Sequence, residues 1–130
     1  MEQIAREHRL KLIEDSCEAL GAEYKGRKAG AFGEAAAFAF YPNKQMTTGE
    51  GGVVVTDDDE IAGLCRSMRN QGRGEDGWLE HERLGYNYRL SDINCALGLA
   101  QLERIEELLA KRERGAQMYN ERLRSLEEIR

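Results

Sequence analysis

Apolar positions in this chain form two continuous short runs and, toward the end, a long helically spaced stripe. Ala35-Ala36-Ala37-Phe38-Ala39-Phe40-Tyr41 contains no charged or strongly polar residue and is closed by Pro42-Asn43. Continuity of this kind predicts a strand covered on both faces, as in an α/β sheet. Gly52-Val53-Val54-Val55-Thr56 predicts a second such strand, stopped by Asp57-Asp58-Asp59. Lys11 to Asp15 reads as a shorter strand ending in carboxylates, with a helix following from Ser16 to about Gly21. Glu2 to Leu10 is charged and compatible with a helix. Tyr24 to Gly33 reads as a loop or weak hairpin, and Gly72 to Gly85 as a mobile loop. Asp58 or Asp59 can cap a helix carrying Ile61, Leu64, Cys65 and Met68 on one face. From Ser91 the pattern is strongly helical. Ser91 and Asp92 supply the cap, and Ile93, Ala96, Leu97, Ala100 and Arg104 trace one face. Leu102, Ile105, Leu108 and Leu109 continue the stripe toward Met118, Tyr119, Leu123 and Leu126, and Gly115 can mark a break or kink at about 1 kcal/mol against alanine. The apolar spacing is too irregular for a sustained coiled coil.

The 130 residues include 24 acids and 19 bases, a formal charge of −5, which fits one ordinary soluble domain. Two strong strands, a weaker one and a long amphipathic helix do not close an α/β domain, so the chain reads as the middle of something larger. The longest apolar run is far too short to cross a bilayer, and the first residues lack a signal-peptide core. No basic block with interleaved aromatics points to nucleic acid. Cys17, Cys65 and Cys95 are odd in number and widely spaced, as expected of reduced thiols in a cytoplasmic protein rather than a disulfide framework or zinc ribbon. With only His8 and His81, a zinc enzyme or a histidine-dependent hydrolase has little to work with, and no metal is expected.

The chemistry concentrates between the two apolar runs. Lys44 stands in a glycine-rich turn, Phe40 to Gly52, where partial desolvation can free its amine as a nucleophile toward carbonyls. A solvated, inert turn lysine is the plain alternative. The glycines there are not a P-loop, because no GxxxxGK[ST] order is present. Asp15, at the end of a strand, sits where open α/β sheets place ligands and could pair with a pyridinium nitrogen. Equally, it could cap the helix that follows.

Three ordered segments carry a resemblance. They are Ile13-Glu14-Asp15-Ser16-Cys17-Glu18-Ala19-Leu20-Gly21-Ala22, then Phe38-Ala39-Phe40-Tyr41-Pro42-Asn43-Lys44 through Gly49-Glu50-Gly51-Gly52, then Gly85-Tyr86-Asn87-Tyr88-Arg89-Leu90-Ser91-Asp92. Together these resemble the DegT/DnrJ/EryC1/StrS aminotransferases, from about Lys11 to the final helix. The resemblance implies an α/β fold, part of the large domain of the type I pyridoxal-phosphate transferases. Residues 1–90 would be strand and helix segments of that domain, and 91–128 a long helix leading toward a smaller one. It implies pyridoxal 5′-phosphate as cofactor and a ping-pong transfer of an amino group, from glutamate or another donor, to a nucleotide-linked keto-sugar. Such reactions serve cell-surface polysaccharide or sugar natural-product biosynthesis.

Residue by residue, Lys44 matches the lysine that forms a Schiff base with the cofactor and later moves the proton. Asp15 matches the acid paired with the pyridine nitrogen. Glu18 falls where glutamine or histidine usually stands beside the ring. Asn87 matches an asparagine reaching the neighbouring subunit's cofactor phosphate across a homodimer, and Arg89 lies close to that site. Ala39 departs from the pattern. Many members carry there a serine bonded to the phosphate, and losing one charge-assisted bond costs roughly 1.5–3 kcal/mol. Family enzymes are also much longer, so an incomplete portion, inactive alone, is expected. The resemblance leaves two other readings. One is a non-catalytic remnant serving as a binding or assembly module. The other is a dehydratase, against which Lys44 argues, since those relatives carry histidine in its place.

Overall fold

The computed structural model of the chain describes residues 1–74 and 80–126. Its elements in order are α1 (Glu2–Glu7), β1 (Ile13–Asp15), β2 (Glu23–Tyr24), β3 (Arg27–Lys28), β4 (Ala35–Ala39), β5 (Gly52–Val55), α2 (Asp59–Arg69), α3 (Asp92–Leu102) and α4 (Ile105–Leu123). The fold is α/β. β4 is the central strand of a three-stranded sheet ordered β1-β4-β5. It pairs in parallel with β1, Ile13 opposite Ala35 through Asp15 opposite Ala37. With β5 it pairs antiparallel, from Ala36 opposite Val55 to Ala39 opposite Gly52.

Two strands covered on both faces were expected, and the sheet runs β5 antiparallel to β4. The connection explains it. Phe40 N–H donates to the Gly51 carbonyl at 2.8 Å and Thr48 N–H to the Phe40 carbonyl at 2.9 Å, so the intervening segment folds back on itself without a crossover helix. The expected two-sided cover is absent on β5, where Val53 and Val54 are 41% and 50% exposed. They line an apolar groove of about 950 Å³, together with Tyr86, Tyr88, Leu90 and, from α2, Cys65 and Met68. The buried apolar centre is Ala36, Phe38 and Met46. Gly30 lies against Phe38 with φ +94°, and a Cβ there would stand 2.8 Å from Phe38 Cζ.

Local chemistry sets the remaining elements. The Asp58 carboxylate caps α2, accepting from Glu60 N–H at 2.8 Å and Ile61 N–H at 3.1 Å. Ser91 Oγ caps α3, accepting from Asn94 N–H at 3.3 Å. β2 and β3 form the weak hairpin, with Lys25 and Gly26 both at positive φ in its turn.

Two helix expectations are corrected. Residues 16 to 21 form successive turns, Ala19 N–H to the Ser16 carbonyl and Ala22 N–H to the Ala19 carbonyl, with no helix. Ser16 N–H instead extends the ladder to the Ala37 carbonyl at 3.0 Å, and the Asp15 carboxylate takes Cys17 N–H at 3.2 Å. Both turn bonds of this segment reach only three residues back and Gly21 turns to φ +86°, so six residues close as separate turns and are too few to sustain a helix. The long helix after Ser91 is in fact two helices. Bonding tightens from Glu103 N–H on the Leu99 carbonyl to Arg104 N–H on the Gln101 carbonyl, and the break falls there, while Gly115 lies inside α4.

Within the predicted Gly72–Gly85 loop, residues 75–79 lie outside the described residues, as do 127 and 128 at the end of the predicted helix. The loop's flanks are joined by a bridge between Arg73 and His81. Among the described residues no helix is long and apolar enough to cross a membrane.

Candidate active site

Lys44 enters the site through a β-turn with Pro42 at its second position, closed by Lys44 N–H on the Tyr41 carbonyl at 3.0 Å. Proline there presets the φ that such a turn requires. The rest of the segment is bonded internally and to α3. Thr47 Oγ1 donates to the Phe40 carbonyl and accepts from Gly49 N–H, both at 2.9 Å. Thr48 Oγ1 donates to the Glu50 carbonyl at 2.7 Å. From α3, Gln101 Oε1 accepts Thr47 N–H at 2.9 Å, and Asn94 Nδ2 donates to the carbonyls of Thr48 and Glu50 at 2.9 and 3.2 Å. Gly51, at φ +150°, is required. A Cβ would approach Thr48 Oγ1 to 2.5 Å.

This scaffold holds a lysine that is largely enclosed, with only 14% of its side chain exposed. The Lys44 amine forms an ion pair with the Glu18 carboxylate, which is itself mostly in solvent. Gln45 Nε2 donates to the Glu18 carbonyl at 2.6 Å, tying the two loops together. Asp15 ends β1 nearby. Hydrogen bonds from the Cys17 thiol and then the Cys17 backbone hold its carboxyl below the usual range, and the charge of Lys44 acts in the same direction. The Cys17 thiol is correspondingly pushed up, first by its bond to Asp15, then by burial and by the Asp15 charge. It also lies 3.7 Å from the Ala37 carbonyl.

Asp15, Glu18 and Lys44 are thus brought together as a carboxyl held below its usual range, a second carboxylate and a sheltered amine. An aldehyde-bearing pyridine ring fits this set, since the amine can take the aldehyde and the anion a ring N–H. Ala39, at the end of β4 opposite Gly52, offers no side-chain donor to a phosphate.

Asn87 and Arg89 are not part of this group. Asn87 pairs with Asn70 in a β-bridge, and Arg89 Nη1 donates to Asn70 Oδ1 at 2.7 Å. Tyr86 N–H reaches the Met68 carbonyl and Tyr88 N–H the Arg69 carbonyl, both at 2.9 Å, strapping the segment to the end of α2. Tyr86 and Tyr88 stack at 5.1 Å between ring centroids. Both Asn87 and Arg89 are exposed.

Sequence reasoning missed the helix residues bonded to the lysine turn: Asn94, Gln101 and Arg112, the last donating to the Asn43 carbonyl at 3.2 Å and to the Lys44 carbonyl. Their partners lie far away along the chain, and a polar residue on a helix carries no local sign of such a contact.

The model of the DegT/DnrJ/EryC1/StrS aminotransferase family matches residues 1–130. GDP-perosamine synthase of Caulobacter vibrioides is 46% identical over 124 residues, 95% of this chain and 33% of the relative. Among solved structures, PseC of Helicobacter pylori, an aminotransferase involved in the biosynthesis of pseudoaminic acid, superimposes with TM-score 0.90 at 37% identity, covering 97% of this chain and 34% of that one. GDP-4-keto-6-deoxy-D-mannose-3-dehydratase of E. coli, with bound hydrated PLP, gives TM-score 0.83 at 26% identity, covering 96% and 36%. The chain spans about a third of the length of these relatives.

Proposed function

Because the chain belongs to the DegT/DnrJ/EryC1/StrS aminotransferase family, we propose that it is the lysine-bearing part of a pyridoxal-phosphate enzyme that moves an amino group, from glutamate, onto a nucleotide-linked keto-sugar. The observation that carries this reading is the sheltered Lys44 amine held beside an anionic Asp15. The nucleotide-sugar substrate is favoured by the likeness to GDP-perosamine synthase.

Pyridoxal phosphate, when bound, supplies the aldehyde and the electron-withdrawing ring. Asp15 would hold the pyridine nitrogen by accepting its N–H. Lys44 would supply the amine that tethers the cofactor and, once free, hold or deliver a proton at Nζ as general acid and base. Glu18 holds the lysine ammonium by a charge-assisted bond and would flank the ring. Asn87 and Arg89 serve the cofactor phosphate of the neighbouring subunit in a cytoplasmic homodimer. In support, both residues are exposed at the surface of this chain. Residues 1–90 belong to the large domain, and 91–128 lead toward the small one. The 130 residues alone do not turn over substrate.

Incubation of the chain with pyridoxal 5′-phosphate, borohydride reduction and peptide mass spectrometry test this reading. Lys11, Lys28 and Lys111 are more exposed than Lys44, at 82%, 66% and 55% of their side chains, so exposure alone would favour them. Preferential modification of Lys44 is the expected result. Labelling that merely follows exposure would defeat the assignment and favour the non-catalytic remnant.

A further inference from the structure

Lys44 is held by its own backbone from a helix residue 68 positions further along the chain. One nitrogen of Arg112 on α4, Nη2, donates to both the Asn43 carbonyl, at 3.2 Å, and the Lys44 carbonyl. These two carbonyls belong to the peptide planes on either side of the Lys44 Cα. Fixing both planes fixes the lysine's φ and ψ, and with them the direction in which its side chain leaves the chain. A guanidinium nitrogen carries two N–H groups, so it can serve both acceptors at once.

The same helix face also reaches the other loop of the site. One turn before Arg112, Leu109 packs on Gly21, where a Cβ would lie 2.5 Å from Leu109 Cδ1 and φ is +86°. Gly21 ends the stretch that begins with Asp15 and contains Glu18. α3 restrains the later half of the turn through Asn94 and Gln101, whereas α4 restrains the half that carries the lysine. Resting on the role proposed above for Lys44, we propose that Arg112 is a positioning residue that aims the Lys44 side chain by clamping its flanking carbonyls from α4.

Arg112→Gln removes the clamp. Arg114→Gln, an exposed change on the same helix, removes the same charge elsewhere. In each variant the ratio of Lys44 to Lys25 labelling by pyridoxal phosphate and borohydride is measured, along with amide hydrogen exchange at Lys44, Gln45 and along β4. The expected result for Arg112→Gln is a fall of about tenfold in the ratio, the scale of a misaimed reacting group. Exchange should quicken at Lys44 and Gln45, with β4 unchanged, and Arg114→Gln should behave as the parent. An unchanged ratio and exchange in Arg112→Gln overturns the proposal. So does an equal fall in Arg114→Gln, which would reflect net charge, or faster exchange along β4, which would reflect general loosening. If the parent chain shows no preference for Lys44, the aminotransferase reading falls instead, and exchange at Lys44 and Gln45 still decides whether the clamp exists.

Discussion

Replacing Glu14 by glutamine should destabilise the fold in a pH-dependent way. The Glu14 carboxylate lies on β1 immediately before Asp15 and binds three backbone donors of one loop. Oε2 accepts Gly30 N–H at 2.8 Å, and Oε1 accepts Phe32 N–H at 2.6 Å and Gly33 N–H at 2.9 Å. Partial burial raises its pKa. The bonds from Gly30, Gly33 and Phe32, aided by the Arg27 charge, outweigh that, so the net displacement is downward. A carboxyl depressed in the folded state contributes stability that is fully present above its unfolded pKa and fades as pH falls through the folded value. Glutamine keeps one acceptor oxygen and turns an NH2 group toward donors at the other, losing at least one charge-assisted bond and setting donor against donor. The site is half-buried, so water recovers part of the loss. We therefore expect about 2 kcal/mol for Glu14→Gln near neutrality, within the range for one bond to a charged group rather than the sum of three. Urea unfolding of parent and variant at about pH 7 and about pH 4 reads this, with the difference shrinking at the lower pH because the parent loses what the variant never had. Equal midpoints at neutrality, or a difference that does not narrow in acid, would refute the account.

The other expectations concern the site and its surroundings. Gly51→Ala should lower stability by about 2–3 kcal/mol and loosen the lysine turn, because the new Cβ meets Thr48 Oγ1 at 2.5 Å on a backbone of φ +150°; thermal unfolding measures it, and a neutral effect would count against the turn described. Lys44→Ala should abolish borohydride-trapped cofactor at that position, and transamination in the full-length protein; surviving turnover would mean that another group supplies the amine. The chain alone should self-associate, since β5 is an edge strand with Val53 and Val54 in the open and Ile93 and Leu99 are 83% and 63% exposed. Sedimentation velocity decides this, and a well-behaved monomer across the micromolar range would contradict it.

What was legible in the sequence were features whose cause is local. The strand at Ala35–Ala39, the Asp58 cap and the Ser91 cap follow from a few adjacent residues, and the structure has them at those places. Asp15 stood out because it ends a strand and Lys44 because it stands alone in a glycine-rich turn, and the structure brings them within each other's field. The expectation of a helix over Ser16 to Gly21 failed for a local reason of another kind. Six residues are too few to sustain a helix, and they close as two separate turns ending at Gly21 with φ +86°, which apolar spacing does not register. Strand direction was not legible, because it depends on whether a connection crosses the sheet or folds back, which the hydrogen bonds of Phe40, Thr48 and Gly51 decide together.

A division of labour follows from where the contacts lie. The groups suited to chemistry, Asp15, Glu18 and Lys44, come from β1, from the turn after it and from the turn after β4. The first of these turns is bonded to β4 through Ser16 N–H and to the lysine turn through Gln45, and the second is bonded internally through Thr47 and Thr48. Further support comes from the helices: Asn94 and Gln101 on α3, and Leu109 and Arg112 on α4. A site that must keep an amine and an anion at fixed separation needs such support, because positional errors of an ångström can cost orders of magnitude in rate. The break at Glu103–Arg104 then has a structural use. It lets α3 hold the glycine-rich half of the lysine turn while α4 turns Leu109 and Arg112 onto the Gly21 loop and the lysine itself.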